Sequence, residues 1–258
     1  MHLKAFFKKF EIMRKTIKGI LAILLRSYTT STPLPQWNYW LGRIYNVKLQ
    51  GKVKSFSEPT AGCSANINII MDLLERSNKL TGDIAECGVF QGATLVPLTH
   101  YMNLLKDTRQ IYGFDSFEGF GKAAEAESAT DLTGHIDLET EMFQQTSVGL
   151  IQSKLRLTQT NTDRLNLVKG YFENSLPTYN AHNYSFVHLD CDLASSYLTC
   201  LEFFFPRMNK GGIILFDEYL DPIYTAATET IDTFFADKFE KPIRIESDNY
   251  VKYYILKN

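Results

Sequence analysis

Two apolar segments of this 258-residue chain run directly into acids: "FVHLDCDLASSY" carries Asp190 and Asp192, and "GGIILFDEY" carries Asp217 and Glu218. Carboxylates at close range repel one another unless protons or a cation neutralise them. If the two segments are neighbouring strands, the loops leaving them bring Asp190, Asp217 and Glu218 together. An all-oxygen set with open water positions suits Mg2+. One acid in such a place more often caps the next helix or is solvated; three acids on two adjacent strand ends favour a metal. His188, inside the apolar run "SFVHLD", reads instead as a hydrogen-bonded core histidine.

A second group of residues suits a nucleoside. "AECGVFQGAT" sets Gly88 and Gly92 between an apolar run and an amphipathic one, with Thr94 at the start of the latter. Glycines there permit a tight turn and let a ligand approach backbone N–H groups at a helix N-terminus. The spacing is not Gly-x-Gly-x-x-Gly, so a dinucleotide phosphate is not favoured. Asp115 ends the next apolar run, "IYGFD", where an acid accepts hydrogen bonds from a ribose diol.

The elements that must hold these groups follow from periodicity. Strands are expected at "DIAECGV", "QIYGFD", "LNLVKG", "YSFVHLD" and "GGIILFD", alternating with helices at 93–106, 195–208 and 223–237. Short apolar runs between amphipathic helices imply parallel strands buried on both faces. The pair "IRIES" and "YVKYYILK", joined across "DN", adds a hairpin and one antiparallel strand. The fold expected is α/β, a doubly wound and mostly parallel sheet, whose ligands sit beyond the carboxyl ends of its strands. The segment 118–146, with His135 in it, is expected to be a lid.

Before residue 83 the reading is of additions. Residues 1–26 carry seven basic residues against Glu11, leaving the rest of the chain at −8 within a net charge of −2. Phe6, Phe10, Met13, Ile17, Ile20 and Leu24 recur at helical spacing, so residues 1–30 are expected to form a basic amphipathic helix. Such a helix suits packing on the body, contact with a second subunit in a homo-oligomer, or peripheral contact with anionic lipid. Residues 31–82 read as a Pro-containing linker and a helical cap, the helix falling near 65–80. The apolar run "ILAILL" is far short of the roughly 20 residues a bilayer span needs, and its surroundings lack a signal-peptide layout. Cys63, Cys87, Cys191 and Cys200 have no metal-ligand spacing, which fits a reducing cytoplasm. The acidic body offers no field for nucleic acid.

"ECGVFQGAT", "YGFDSFEGF", "VKGYFENSLP", "FVHLDCDLASSY" and "MNKGGIILFDEY", in that order, resemble the macrocin O-methyltransferase family, S-adenosylmethionine-dependent enzymes that methylate sugar hydroxyls of macrolide and aminocoumarin antibiotics. The resemblance implies a Rossmann-like class I methyltransferase fold with Glu86, Gly88, Gly92 and Asp115 around the methyl donor. Phe90, Thr94 and Ser116, in the same two turns, complete that candidate set. It implies Mg2+ on Asp190, Asp217 and Glu218, with Asp192 accepting the acceptor's proton beside the catalytic ligand Asp190. The acceptor expected is a small-molecule hydroxyl on a glycosylated natural product or a surface polysaccharide. Alternatives are a phenolic or other non-sugar acceptor, or a non-catalytic scaffold that binds S-adenosylmethionine. Two departures stand out: "DLASSY" replaces the family's Asp-Leu-Tyr-Glu-Ser-Thr, placing Ala194 where the tyrosine stands, and Glu218 replaces an aspartate.

Overall fold

The structure, a computed structural model, describes residues 64–121, 143–247 and 250–258. The expected N-terminal helix 1–30, the linker, most of the lid with His135, and the "DN" turn lie outside the described residues. Ala65–Asn258 forms one unit. Its strands are β1 (Asp83–Cys87), β2 (Ile111–Asp115), β3 (Leu165–Lys169), β4 (Tyr184–Leu189), β5 (Met208–Phe216), β6 (Ile243–Ser247) and β7 (Tyr250–Leu256). The helices are α1 (Ser64–Arg76), α2 (Leu95–Leu105), α3 (Val148–Leu157), α4 (Phe172–Ser175), α5 (Ala194–Phe204) and α6 (Thr225–Phe235).

They build a sheet of order β3-β2-β1-β4-β5-β7-β6. β1 to β5 are parallel, while β7 runs antiparallel to both β5 and β6. The order reverses between β1 and β4, so a crevice is expected beyond their carboxyl ends. All six residues of β4 are buried, as are the last five of β5, because helices cover both faces. Around them, Tyr184, Phe204, Phe216 and Phe235 fill the core on one face. On α1, Ile67, Ile70 and Leu74 are wholly buried, as their spacing predicts.

Two expectations need correction. The helix predicted over 195–208 stops at Phe204, where Pro206 enters a 3₁₀ turn and β5 already begins at Met208. The stretch between β2 and β3 also contains α3, whose N-cap Ser147 accepts from the Leu150 N–H at 3.1 Å. Ile151 and Leu155 of α3 face inward at i, i+4. A Cβ on Gly92 would stand 3.0 Å from Ile151 Cδ1, and Lys154 Nζ donates to the Gln91 carbonyl at 2.7 Å. α3 therefore buttresses the glycine turn.

At the opposite end of the strands, Arg109 Nη1 donates to Ser77 O, Ser77 Oγ and Ser185 Oγ at 2.9–3.0 Å. Its other nitrogens pair with Asp107, the closest contact being 2.6 Å with both side chains 7% exposed. Arg109→Ala leaves a buried carboxylate without its partner and is expected to cost about 3–5 kcal/mol, read as a fall in denaturation midpoint at unchanged m-value.

Candidate active site

Gly88 leaves β1 with φ +90°, and a Cβ built there would lie 1.6 Å from the Asp190 carbonyl oxygen. What approaches this glycine is thus the backbone leaving β4, not a ligand alone. Phe90 follows with φ 44° and Gly92 with φ +76°. The turn is pinned by Asp115, whose Oδ2 accepts from Phe90 N at 2.8 Å while Oδ1 accepts from Phe117 N at 2.5 Å. Burial raises the Asp115 pKa, against lowering by these backbone donors. With Val89 as a third backbone donor, the carboxylate keeps one lone pair for a hydroxyl donor. Ser116 shapes the neighbouring loop: its Oγ donates to Gly119 O at 2.6 Å and accepts from Glu118 N at 3.0 Å.

Glu86 and Thr94 meet one another beside the turn. Both are enclosed, at 0% and 2% exposure, and Thr94 Oγ1 donates to Glu86 Oε1 at 2.6 Å. The bond ties the first turn of the helix to the end of β1. Glu86 sits opposite His188 in the β1–β4 register.

The acids converge in two groups that share Asp190, one of them with Asp217 and His188. One oxygen each from Asp190, Asp192 and Glu218 lies within 4.8 Å of the others. Asp192, expected to stand apart as the base, is inside the cluster, held in a left-handed conformation at φ 59°. Glu218 is 3% exposed, and its Oε2 accepts from Tyr197 Oη at 2.5 Å. Tyr197 Oη also lies 2.9 Å from Leu189 O, so its single proton serves one of two acceptors. Burial first, then the Asp217, Asp190 and Asp192 charges, pushes the Glu218 carboxyl well up. Asp190 is likewise raised, by burial and then by Asp217.

Asp217 turns the other way. Its Oδ1 lies 2.7 Å from Lys252 Nζ and 3.6 Å from His188 Nε2. The same ammonium also donates at 2.6 Å to the Asp217 carbonyl. Burial alone would raise this carboxyl; Lys252 and His188 outweigh it and hold it low. His188 is wholly buried, as expected, but spans gaps of 3.7 Å to Glu86 and 3.6 Å to Asp217 without a formed hydrogen bond. Burial lowers its pKa, yet the two flanking carboxylates prevail and lift it to about 10. A row Thr94–Glu86–His188–Asp217–Lys252 thus runs beneath the crevice. Sequence reasoning missed Lys252, Tyr197 and Tyr224, the last hydrogen-bonded to Asp192. The signal for Lys252 was a lone lysine in the aromatic strand "YVKYY".

The Asp192 pKa stands at about 7, raised from 3.8 by burial, with Tyr224 opposing and Asp217, Asp221 and Asp115 adding to the rise. The folded protein therefore holds a proton that the unfolded chain releases near pH 4. That stabilisation is complete below the unfolded value and is lost as pH rises through about 7. His188 acts in the same direction, and Asp217, held low, titrates below this window. Metal-free protein is expected to melt at a lower temperature at about pH 8 than at about pH 5.5, and Mg2+ to narrow that difference, as thermal melts with chelator and with Mg2+ will read.

A doubly wound sheet of this order, with its crevice at the switch between β1 and β4, is the Rossmann-like class I methyltransferase fold. The O-methyltransferase NovP superposes with a TM-score of 0.65 at 21% identity, over 74% of this chain and 79% of that one. CalS11, a calicheamicin methyltransferase, superposes with 0.61 at 17% identity, over 86% and 91%. A family model described as macrocin-O-methyltransferase (TylF) matches residues 65–254, and the chain belongs to that family. Among curated relatives, the 8-demethyl-8-(2,3-dimethoxy-alpha-L-rhamnosyl)-tetracenomycin-C 4'-O-methyltransferase of Streptomyces olivaceus is 27% identical over 146 residues, 54% of this chain and 53% of that one. The mycinamicin III 3''-O-methyltransferase of Micromonospora griseorubida is 24% identical over 144 residues, 55% and 56% of the two chains. The chain spans about half the length of the curated relatives it matches. No helix among the described residues is long and apolar enough to cross a membrane.

Proposed function

We propose that this protein transfers a methyl group from S-adenosylmethionine to a hydroxyl of a sugar on a glycosylated small molecule, with a divalent cation in the site. The observation that carries this reading is the convergence of Asp190, Asp192 and Glu218 beside the glycine turn, inside the segment the family model covers. The sugar acceptor rests on relatives whose names specify a rhamnosyl tetracenomycin and mycinamicin III.

The residues fit both groups. Crowded carboxylates whose pKa values are raised by one another supply hard oxygen donors that a cation relieves. Asp115, partly exposed and with a lone pair remaining, fits a ribose diol. When bound, S-adenosylmethionine supplies an electrophilic methyl group and Mg2+ lowers the pKa of a coordinated hydroxyl. Asp190, Asp217 and Glu218 would hold the cation, and Tyr197 fixes the Glu218 carboxylate. Asp192, oriented by Tyr224, would accept the hydroxyl proton as the methyl passes from sulfur to oxygen. Phe90, backed edge-on by Phe143 at 5.2 Å, walls the donor's side of the crevice.

Calorimetric titration of S-adenosylmethionine, with and without Mg2+, tests this. Asp115→Ala is expected to abolish donor binding and Asp190→Ala to abolish Mg2+ binding while each leaves the other intact. Absence of donor binding to the unaltered protein under both conditions would sink the methyltransferase reading.

A further inference from the structure

β6 is the last strand of the sheet, and among the described residues its outer edge meets no other strand. Ser247 and Tyr250 stand opposite one another across β6 and β7 although they are close neighbours in the chain. A pair that closes so tight a hairpin is a hydrogen-bonded one, and such pairs alternate along an antiparallel ladder. Ile245–Lys252 and Ile243–Tyr254 are therefore bonded pairs as well. The N–H and C=O groups of Arg244 and Glu246 consequently point away from β7, to the free edge. Their side chains leave the sheet on one face, 54% and 55% exposed, while Ile243 and Ile245 leave it on the other. Ile243 is 41% exposed, and Phe239, shortly before the strand, 86%. A short edge with unpaired donors and acceptors, apolar side chains and two opposite charges is a template for another strand.

The order of residues in "IRIES" selects that strand. Laid antiparallel on a second copy about a two-fold axis at Ile245, it sets Arg244 opposite the partner's Glu246 and Glu246 opposite the partner's Arg244. These are the residues whose backbone groups face outward, so both pairs exchange hydrogen bonds and both join opposite charges. Ile245 meets the partner's Ile245 at a non-hydrogen-bonded position, where side chains come closest. An axis at Arg244 would set arginine against arginine, and one at Glu246 carboxylate against carboxylate. Pro242, the next residue of the same parity, has no N–H to give and ends the ladder. We infer that β6 is the interface with a second copy of this chain, paired antiparallel about Ile245. One sheet then runs unbroken through both copies. Because β6 lies parallel to β5 across β7, the two crevices open at opposite ends of that sheet. The pairing is isologous and uses both free edges, so growth at this surface stops with the pair. Nothing in it depends on the proposed reaction.

The test is sedimentation equilibrium of the full chain over a concentration series, with a thermal melt of every variant to show that it is folded. The unaltered protein is expected to associate through this edge. Arg244→Glu and Glu246→Arg each set like charges opposite one another at both pairs, and each is expected to weaken association by about tenfold or more, halving the mass of the assembly at concentrations where the unaltered protein is paired. The two substitutions move the net charge in opposite directions, so general repulsion between copies does not account for a loss in both. The exchanged variant Arg244→Glu/Glu246→Arg faces opposite charges again and is expected to return to within about threefold of the unaltered protein. A monomer at every concentration would overturn the inference. Association that withstands both single substitutions would overturn it too, by placing the contact elsewhere, residues 1–63 included. Loss in the single variants with no recovery in the exchanged one would rule out the register about Ile245, and the inference with it.

Discussion

Asp192→Asn is expected to lower kcat by about 10²- to 10⁴-fold, the range for loss of a positioned general base, with KM for the donor little changed. The variant suits the question because asparagine tolerates the left-handed backbone that Asp192 adopts at φ 59°. It also keeps the backbone N–H that points at Glu218 Oε2 from 3.4 Å. Geometry is preserved while the proton acceptor is removed. Steady-state rates with and without the substitution, at saturating donor and Mg2+, give the answer. A loss under about threefold would move the base role elsewhere. The carboxyl's position near neutrality in the metal-free state has a physical origin in burial and the surrounding acids, with Tyr224 restraining the rise.

The second large effect is on stability. Gly88→Ala must place a methyl 1.6 Å from the Asp190 carbonyl oxygen at a residue whose φ of +90° already disfavours any side chain. The atom in the way is backbone, so no rotamer change relieves it; β1 and β4 must part at the site. A cost of about 4 kcal/mol or more is expected, corresponding to a fall in melting temperature of roughly 10 °C for a chain of this size. Thermal melting followed by circular dichroism measures it. A fall of only a degree or two would show that the strand ends yield easily.

Most of the sheet was legible because each buried strand is a short apolar run bounded by turns. β4, "YSFVHL", and β5 were found to within a few residues, and the antiparallel entry of β7 followed from the hairpin pattern. α3 was not, because Gly-, Ser- and Thr-containing sequence precedes it and only Ile151 and Leu155 mark its inward face. The end of α5 was misjudged by reading apolar periodicity across Pro206. In the site, the identities of the acids were readable but their allegiances were not. That Asp217 meets a lysine depends on a β5–β7 register joining residues 35 positions apart. Nothing local in "FDEY" announces that. The pairing of Glu86 with Thr94 was unreadable for a related reason: in a strand covered on both faces, alternation does not say what each side chain meets.

The same register bears on the order in which the molecule assembles. β7 follows β6 along the chain yet lies between β5 and β6, so residues 243–247 have no strand to join until residues 250–256 are made, and reach the sheet only through them. During synthesis the five parallel strands and their helices are therefore complete before the sheet is. Over that interval Asp217 and Glu218 emerge beside Asp190 and Asp192 with no ammonium opposite them. Docking of β7 both closes the sheet and delivers that charge, at a single non-local step whose loop must close before its contacts form. The charge opposite the acid cluster is in this way supplied by the strand that finishes the fold.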